Sequence, residues 1–210
     1  MVTANDNNTL NNEIATPAGN IIIEGPVPAE TIRTLGINHG LCNFRMAERQ
    51  KEALVIVAGS PEGMVYIART ASEIVGYVMF HYPSQYSRWS RHPRLLELGA
   101  IEVSPDFKRC GIGTRLLQAA FKNPVLEEYV VVTTEYYWHW DLKNSGLDVM
   151  SYQKMLTKLF NSANFKKRRT DDPEILEHPA NMLMVRFGSR VSPAYIKAFE
   201  DLTYQGSLVE

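Results

Sequence analysis

Apolar positions along the chain recur with two different periods, and the switching between them predicts strands alternating with helices. Residues 20–24 (NIIIE) are a β-branched run stopped by Gly25-Pro26, the pattern of a strand. A short helix over 28–35 opens at Pro28 and closes at Gly36. A second helix carries Ala47, Gln50, Leu54 and Val57 on one face and stops at Gly59 and Pro61. Residues 64–69 and 74–81 read as two strands joined through the polar link Thr70-Ala71-Ser72-Glu73, hence a hairpin. A loop over 83–93 holds Arg88, Trp89, Arg91 and His92, and a third long strand covers 95–103. Gly111-Ile112-Gly113 then opens a helix with apolar positions 112, 116, 117, 120 and 121, ended by Pro124. The apolar, β-branched stretch 125–134 predicts a strand covered on both faces in a parallel pair. A helix is expected over 147–160 and a strand over 182–187. Ser192-Pro193 is an N-cap and first-turn signal for a last helix through Phe199 and Leu202.

These elements predict an α/β fold with a mixed central sheet flanked by helices. No internal repeat or shift in composition marks a second domain, so 20–210 is expected to be a single domain. Residues 1–19, rich in Asn and Thr, are expected to be a flexible tail.

Composition narrows the class further. Apolar residues make up 45% and charged residues 21%, which excludes a disordered or low-complexity chain. Lys and Arg total 22 against 23 Asp and Glu, a net charge of -1, so no nucleic-acid or anionic-membrane partner is expected. The two cysteines, Cys42 and Cys110, are far apart and form neither a disulfide framework nor a zinc spacing. With no leader pattern in the first twenty residues and no apolar run long enough to cross a bilayer, a cytoplasmic location is expected.

The chemistry concentrates in 95–121, LLELGAIEVSPDFKRCGIGTRLLQAAF. A strand runs into a basic, glycine-bearing loop that opens a helix. Backbone N–H groups of such a loop and of the helix N-terminus form an anion site. Gly111 and Gly113 let the main chain approach a phosphate, and Lys108 and Arg109 add positive charge, so a pyrophosphate-bearing cofactor is implied. A dinucleotide fingerprint would need a third glycine where Leu116 stands, although Glu135 mimics its ribose-binding acid.

The stretch Ile101-Glu102-Val103-Ser104-Pro105 followed by Lys108-Arg109-Cys110-Gly111-Ile112-Gly113-Thr114 resembles the acetyl-CoA-binding motif of the GNAT superfamily of N-acetyltransferases, with Lys108 where that pattern has Gln or Arg. The segments GPVPAE, IVGYV, ELGAIEVSPDF, TTEYYWHWDLK and EHPANMLM, spread over most of 20–190, further resemble the acetoin utilization proteins of Bacillus-type bacteria. The resemblance implies a GNAT-like sheet in which the parallel strands 95–103 and 125–134 splay apart to admit the pantetheine arm of acetyl-CoA. It implies main-chain bonds from Ile101 and Val103, with the pyrophosphate on the loop of Lys108, Arg109, Cys110, Gly111, Ile112, Gly113 and Thr114. It also implies a protein lysine acetyltransferase that acetylates and silences acetyl-CoA synthetase. Cys110 would contribute its backbone N–H.

Acetyl transfer needs a base, because a free lysine amine has a pKa of about 10.4 and is almost wholly protonated at neutral pH. Glu97 and Glu102 are the acids of the first splayed strand. Glu97 lies fourteen residues before Gly111, where histone-type members of the superfamily have their base, and is preferred. Strict alternation puts Glu97 on one face with Gly99, Ile101 and Val103 and Glu102 on the other with Leu96, Leu98 and Ala100. Both can reach the thioester only if a bulge shifts the phase. The family's tyrosine general acid falls at Phe160, so that role is unfilled, and Tyr136, Tyr137 or solvent would have to supply it. Glu135, Tyr137 and His139 share a face if the second strand continues, while Trp138 and Trp140 read as packing. His139 and Asp141 lack a third ligand at fitting spacing, so no metal is expected. His178 reads as a loop residue and Lys166–Arg169 as a solvated face. Two other functions stay open: a regulator that senses acetyl-CoA without transferring from it, and a small-amine acetyltransferase of the same fold. The oligomeric state is not legible.

Overall fold

The computed structural model describes residues 13–205, and nine strands in them build one sheet. At one edge β1 (Glu13–Thr16) and β2 (Gly19–Glu24) form an antiparallel hairpin with Ile14 opposite Ile21. Ile14 is buried against the sheet, and this tethers the hairpin. The tail expected over 1–19 is thus corrected from Glu13 onward; the rest of that expectation lies outside the described residues.

The chain continues through α1 (Ala29–Thr34), β3 (Gly36–Ile37), α2 (Ala47–Ala58), β4 (Met64–Arg69), β5 (Glu73–His81) and β6 (Leu95–Val103). Then come α3 (Ile112–Ala120), β7 (Val130–Glu135), α4 (Leu142–Ser145), α5 (Val149–Asn161), β8 (Lys166–Arg168), α6 (Pro173–Leu176), β9 (Met182–Phe187) and α7 (Pro193–Thr203). The sheet order is β1-β2-β4-β5-β6-β7-β9-β8, with β3 beside β5. The β6–β7 pair is parallel, as is β3–β5; the other neighbours are antiparallel.

Burial divides the sheet into two faces. On one, Ile112, Leu116, Leu117 and Ala120 of α3 and Leu156 and Phe160 of α5 pack on Phe80, Leu96, Val131 and Met184. On the other, Ile32 and Leu54 of α1 and α2 pack on Ile67, Tyr77 and Ala100, and Phe199 of α7 packs on Val132 and Val185. Trp89 sits in a 3-10 turn, Arg88–Arg91, inside the stretch expected to be a loop, and stacks on Phe199 with centroids 5.4 Å apart.

Two boundaries differ from the sequence reading. The strand expected from 125 begins at Val130, because Asn123 caps a 3-10 turn, Pro124–Glu128, that buries Leu126 without strand pairing. The same strand ends at Glu135, and a 3-10 turn, Tyr137–His139, breaks the alternation expected to align Glu135, Tyr137 and His139.

Candidate active site

β6 and β7 pair only at Leu95↔Val130, Leu96↔Val131 and Glu97↔Val132. Beyond Glu97 the two strands part, and the edge of β6 toward β7 has no strand partner. Which peptide groups face that gap follows from the other edge. Ser104 N–H donates to Val75 O at 2.8 Å, and peptide orientation alternates, so Glu102 and Ala100 turn to β5 while Ile101 and Val103 turn to the gap.

A bulge interrupts β6 within the same segment. Met79 pairs with Ala100 but Phe80 with Leu98, which leaves Gly99 as the extra residue. The bulge inverts the parity of the strand. Leu96 and Leu98 pack toward α3, and so do Ile101 and Val103, whereas Leu95 and Ala100 pack on the opposite face. Glu97 and Glu102 therefore share the face away from α3, the outcome that strict alternation forbids.

Two clefts open at the splay. A narrow slot of about 80 Å³ is lined by Gly99, Ala100 and Ile101 of β6, by Thr133 and Glu135 of β7, and by Tyr152 of α5. A wider cleft of about 720 Å³ is lined by Glu97, Tyr86, Arg88, Arg91 and Glu174. Thr134 and Tyr136 line both, so the two meet at the C-terminal end of β7.

The loop before α3 is open. Arg109 and Gly111 take φ +64° and +73°, and a Cβ on Gly111 would meet nothing within 4 Å. No side chain caps α3 at Gly111, so the first-turn N–H groups of Ile112, Gly113 and Thr114 have no intrahelical acceptor. The Lys108 ammonium donates to Asp141 at 2.5 Å, which ties this loop to α4. Cys110 is half-buried, its Sγ 3.6 Å from Lys108 O.

The three glutamates differ in environment. Glu102 is buried and holds both oxygens in hydrogen bonds: Oε1 accepts from Asn43 N–H at 2.9 Å and Oε2 from the Tyr77 hydroxyl at 2.7 Å. Burial raises its carboxyl above the usual range and these bonds oppose the rise. Glu97 is raised by burial too, with His81 opposing. Glu135 accepts from Thr133 Oγ1 at 2.9 Å and Trp140 Nε1 at 3.2 Å; burial still pushes it up to about 7. Tyr137 lines neither cleft: its ring packs on His178, centroids 4.2 Å apart, and its N–H donates to Asn181. Trp140 is buried against Tyr152, centroids 5.2 Å apart, and Trp138 stacks on Tyr136 at 4.9 Å.

Sequence reasoning missed Tyr152, Asn43 and His81. Tyr152 stands two helical turns before Phe160 on the same inward face of α5, and burial raises its hydroxyl to about 12. That helical spacing was the available signal. Asn43 comes from a loop with no periodicity, yet it also donates through Nδ2 to His139 O at 2.8 Å. Among the described residues no three His, Cys, Asp or Glu side chains gather as a metal site. No helix among them is long and apolar enough to cross a membrane.

The acetyltransferase (GNAT) family model matches residues 37–132. The chain is 44% identical over 194 residues to the acetoin utilization protein AcuA of Bacillus licheniformis, covering 91% of this chain and 92% of that one. It is 45% identical over 193 residues to AcuA of Bacillus subtilis (strain 168), with the same coverage. The crystal structure of an acetoin utilization protein from Exiguobacterium sibiricum superposes with a TM-score of 0.90 at 44% identity, over 92% of this chain and 93% of that one. The GNAT domain of S. lividans PAT, at 11% identity and a TM-score of 0.52 over 83% of this chain and 94% of that one, shares the fold. Because the identity to two AcuA proteins runs along nearly the whole of both chains, the protein belongs to the acetoin utilization (AcuA) family of acetyl-CoA-dependent N-acetyltransferases.

Proposed function

We propose that the protein acetylates a lysine side chain on the surface of another protein, acetyl-CoA synthetase, and thereby inactivates it. The observation that carries this reading is the form of the acceptor side. The cleft of about 720 Å³ is open and bears an exposed aromatic, Tyr86, with the Tyr136–Trp138 stack at its inner end. Such a rim suits a long side chain presented by a macromolecule better than a small free amine, which is usually enclosed. The unbroken sheet from β1 to β8 supports reading the described part of 20–210 as one catalytic unit, with the hairpin from Glu13 added.

The residues present fit acetyl-CoA. The first-turn N–H groups of α3 and the open backbone at Gly111 suit a pyrophosphate, and the outward peptide groups of Ile101 and Val103 suit a pantetheine amide laid along β6. Acetyl-CoA, when bound, supplies an activated thioester. The chain supplies position and proton handling. Glu97, on the acceptor side, takes the proton of the attacking amine; its desolvated carboxyl lies nearer neutrality than a free one and so is a better base at pH 7. Tyr152 lines the slot and stays protonated, so its hydroxyl can return a proton to the departing sulfur, the role that Phe160 cannot fill. Glu102, with both oxygens engaged, holds the loop around Asn43 in place. Glu135 and Thr133 shape the slot, and Tyr137 braces the turn behind it.

Intact-mass analysis of purified acetyl-CoA synthetase, incubated with this protein and acetyl-CoA, tests the reading. One acetyl increment, lost with Glu97→Gln, and a parallel fall in synthetase activity are expected. Synthetase of unchanged mass, with acetyl-CoA bound normally, would refute it in favour of another acceptor or a non-catalytic regulator.

A further inference from the structure

His81 ends β5 directly opposite Glu97 of β6, so the two side chains share a face of the sheet beside the acceptor cleft. The ring is oriented by its neighbours. Nδ1 lies 2.7 Å from the backbone carbonyl of Tyr82. A carbonyl only accepts, so Nδ1 carries the hydrogen and Nε2 of the neutral ring carries the lone pair. That nitrogen lies over Gly99, the bulged residue that lines the slot. A Cβ there would stand 2.8 Å from Cδ2 of His81 and nearer still to Nε2, so a larger residue would push the ring out of this position. The basic nitrogen therefore lies against Gly99 of the slot, on a residue paired with Glu97 of the cleft.

The other charged groups of that cleft are engaged elsewhere. Arg88 of the 3-10 turn pairs with Asp171 and Asp172, Arg91 donates to Gln205, and Glu174 of α6 accepts from the Tyr136 hydroxyl at 2.9 Å. Tyr82, next to His81 in the chain, is exposed, and its hydrogen bond with Glu62 holds its hydroxyl protonated. Glu97 and His81 are left facing each other.

We propose that His81 is a positioning and relay residue of the acetyl transfer, receiving at Nε2 the proton that Glu97 removes from the acceptor amine. The inference rests on Glu97 as base. The acceptor lysine gives its ammonium proton to water at the open cleft; an N–H bond of the resulting amine then breaks toward the Glu97 carboxylate as the C–N bond forms, and the C–S electron pair leaves with sulfur, which takes the Tyr152 hydroxyl proton, replaced afterwards from water. The proton on Glu97 passes to Nε2, giving an imidazolium beside the regenerated carboxylate. Water at the open cleft then takes the proton, and the neutral ring is restored. Without the relay, Glu97 would have to return its proton directly to water in each turnover.

The test compares wild type, His81→Gln, His81→Ala and Glu97→Gln for acetylation of acetyl-CoA synthetase across pH, with calorimetric acetyl-CoA binding as the control for folding. His81→Gln is expected to lower kcat about 100-fold while KM and acetyl-CoA affinity stay unchanged, and added imidazole is expected to restore part of the His81→Ala rate. Imidazole 15N spectra of the wild-type chain, which need no turnover, are expected to show the Nδ1–H tautomer. An Nε2–H tautomer would overturn the inference. So would His81→Gln with wild-type kcat beside an inactive Glu97→Gln, an outcome that leaves Glu97 standing as base. A fully active Glu97→Gln would overturn the base reading and the relay with it. A His81→Ala defect that imidazole does not relieve, with an unshifted pH profile, would reduce the histidine to a structural role.

Discussion

Replacing Glu135 by Gln should raise stability at alkaline pH and leave it nearly unchanged in acid. Its carboxyl, ordinarily near 4.5, is pushed up to about 7 because desolvation outweighs the bonds from Thr133 and Trp140. The folded state thus holds this proton more tightly than the unfolded state does. Below pH 4.5 both states are protonated and the group does not weaken the fold. As pH rises the unfolded chain ionises first, and folded stability falls until pH passes about 7, where the loss levels off. At 1.36 kcal/mol per pH unit the span between the two values corresponds to about 3 kcal/mol. A neutral Gln accepts the same indole bond and avoids that loss. Urea unfolding followed by tryptophan fluorescence, run on both proteins at pH 4, 6 and 8, measures the difference. Every other titrating group is common to the two chains and cancels. The Gln variant should gain about 2–3 kcal/mol on wild type between pH 4 and pH 8. A difference that is flat with pH would refute the assignment of a desolvated carboxyl at this position.

Glu102→Ala should cost about 2 kcal/mol, because it leaves the Tyr77 hydroxyl buried without a partner, and should speed hydrogen exchange at Asn43; exchange mass spectrometry reads both effects. Lys108→Ala and Asp141→Asn should be non-additive in a stability cycle, with a coupling of about 0.5–1 kcal/mol that shrinks in high salt. Tyr152→Phe should lower kcat about tenfold or more with acetyl-CoA affinity kept, as steady-state kinetics beside calorimetry would show; an unchanged kcat removes it as proton donor.

The parts of the fold legible in the sequence are those whose burial follows their own periodicity. β6 and α3 appear where their apolar positions put them, and the glycine-bearing loop between them needed only its local chemistry. The hairpin at Glu13–Glu24 was legible only in its second strand, since β1 is held by one buried residue, Ile14. The run after Pro124 misled because Leu126 reaches the core from a 3-10 turn, so an apolar stretch there does not mean a strand. Trp89 and Phe199 lie far apart in the chain, and nothing near either residue announces the stack they form.

The candidate site depends most on the feature hardest to read. In ELGAIE, parity assigns Glu97 and Glu102 to opposite faces, and that holds for any regular strand. One unpaired residue at Gly99 reverses it, because the bulge is fixed by the register against Met79 and Phe80 and not by β6 itself. Glycine serves two ends at that position: it accommodates the extra residue, and it clears the space that the His81 ring occupies. Once both glutamates face the same side, proximity no longer separates their roles, and hydrogen bonding does. Glu102 has each oxygen held by a fixed donor, and both bonds favour its ionised form. Glu97 opens on the wider cleft with an imidazole opposite, so a proton can arrive there and leave without disturbing the fold. The bulge thus places two chemically identical acids on one surface, and their partners divide them into a clamp and the base we propose.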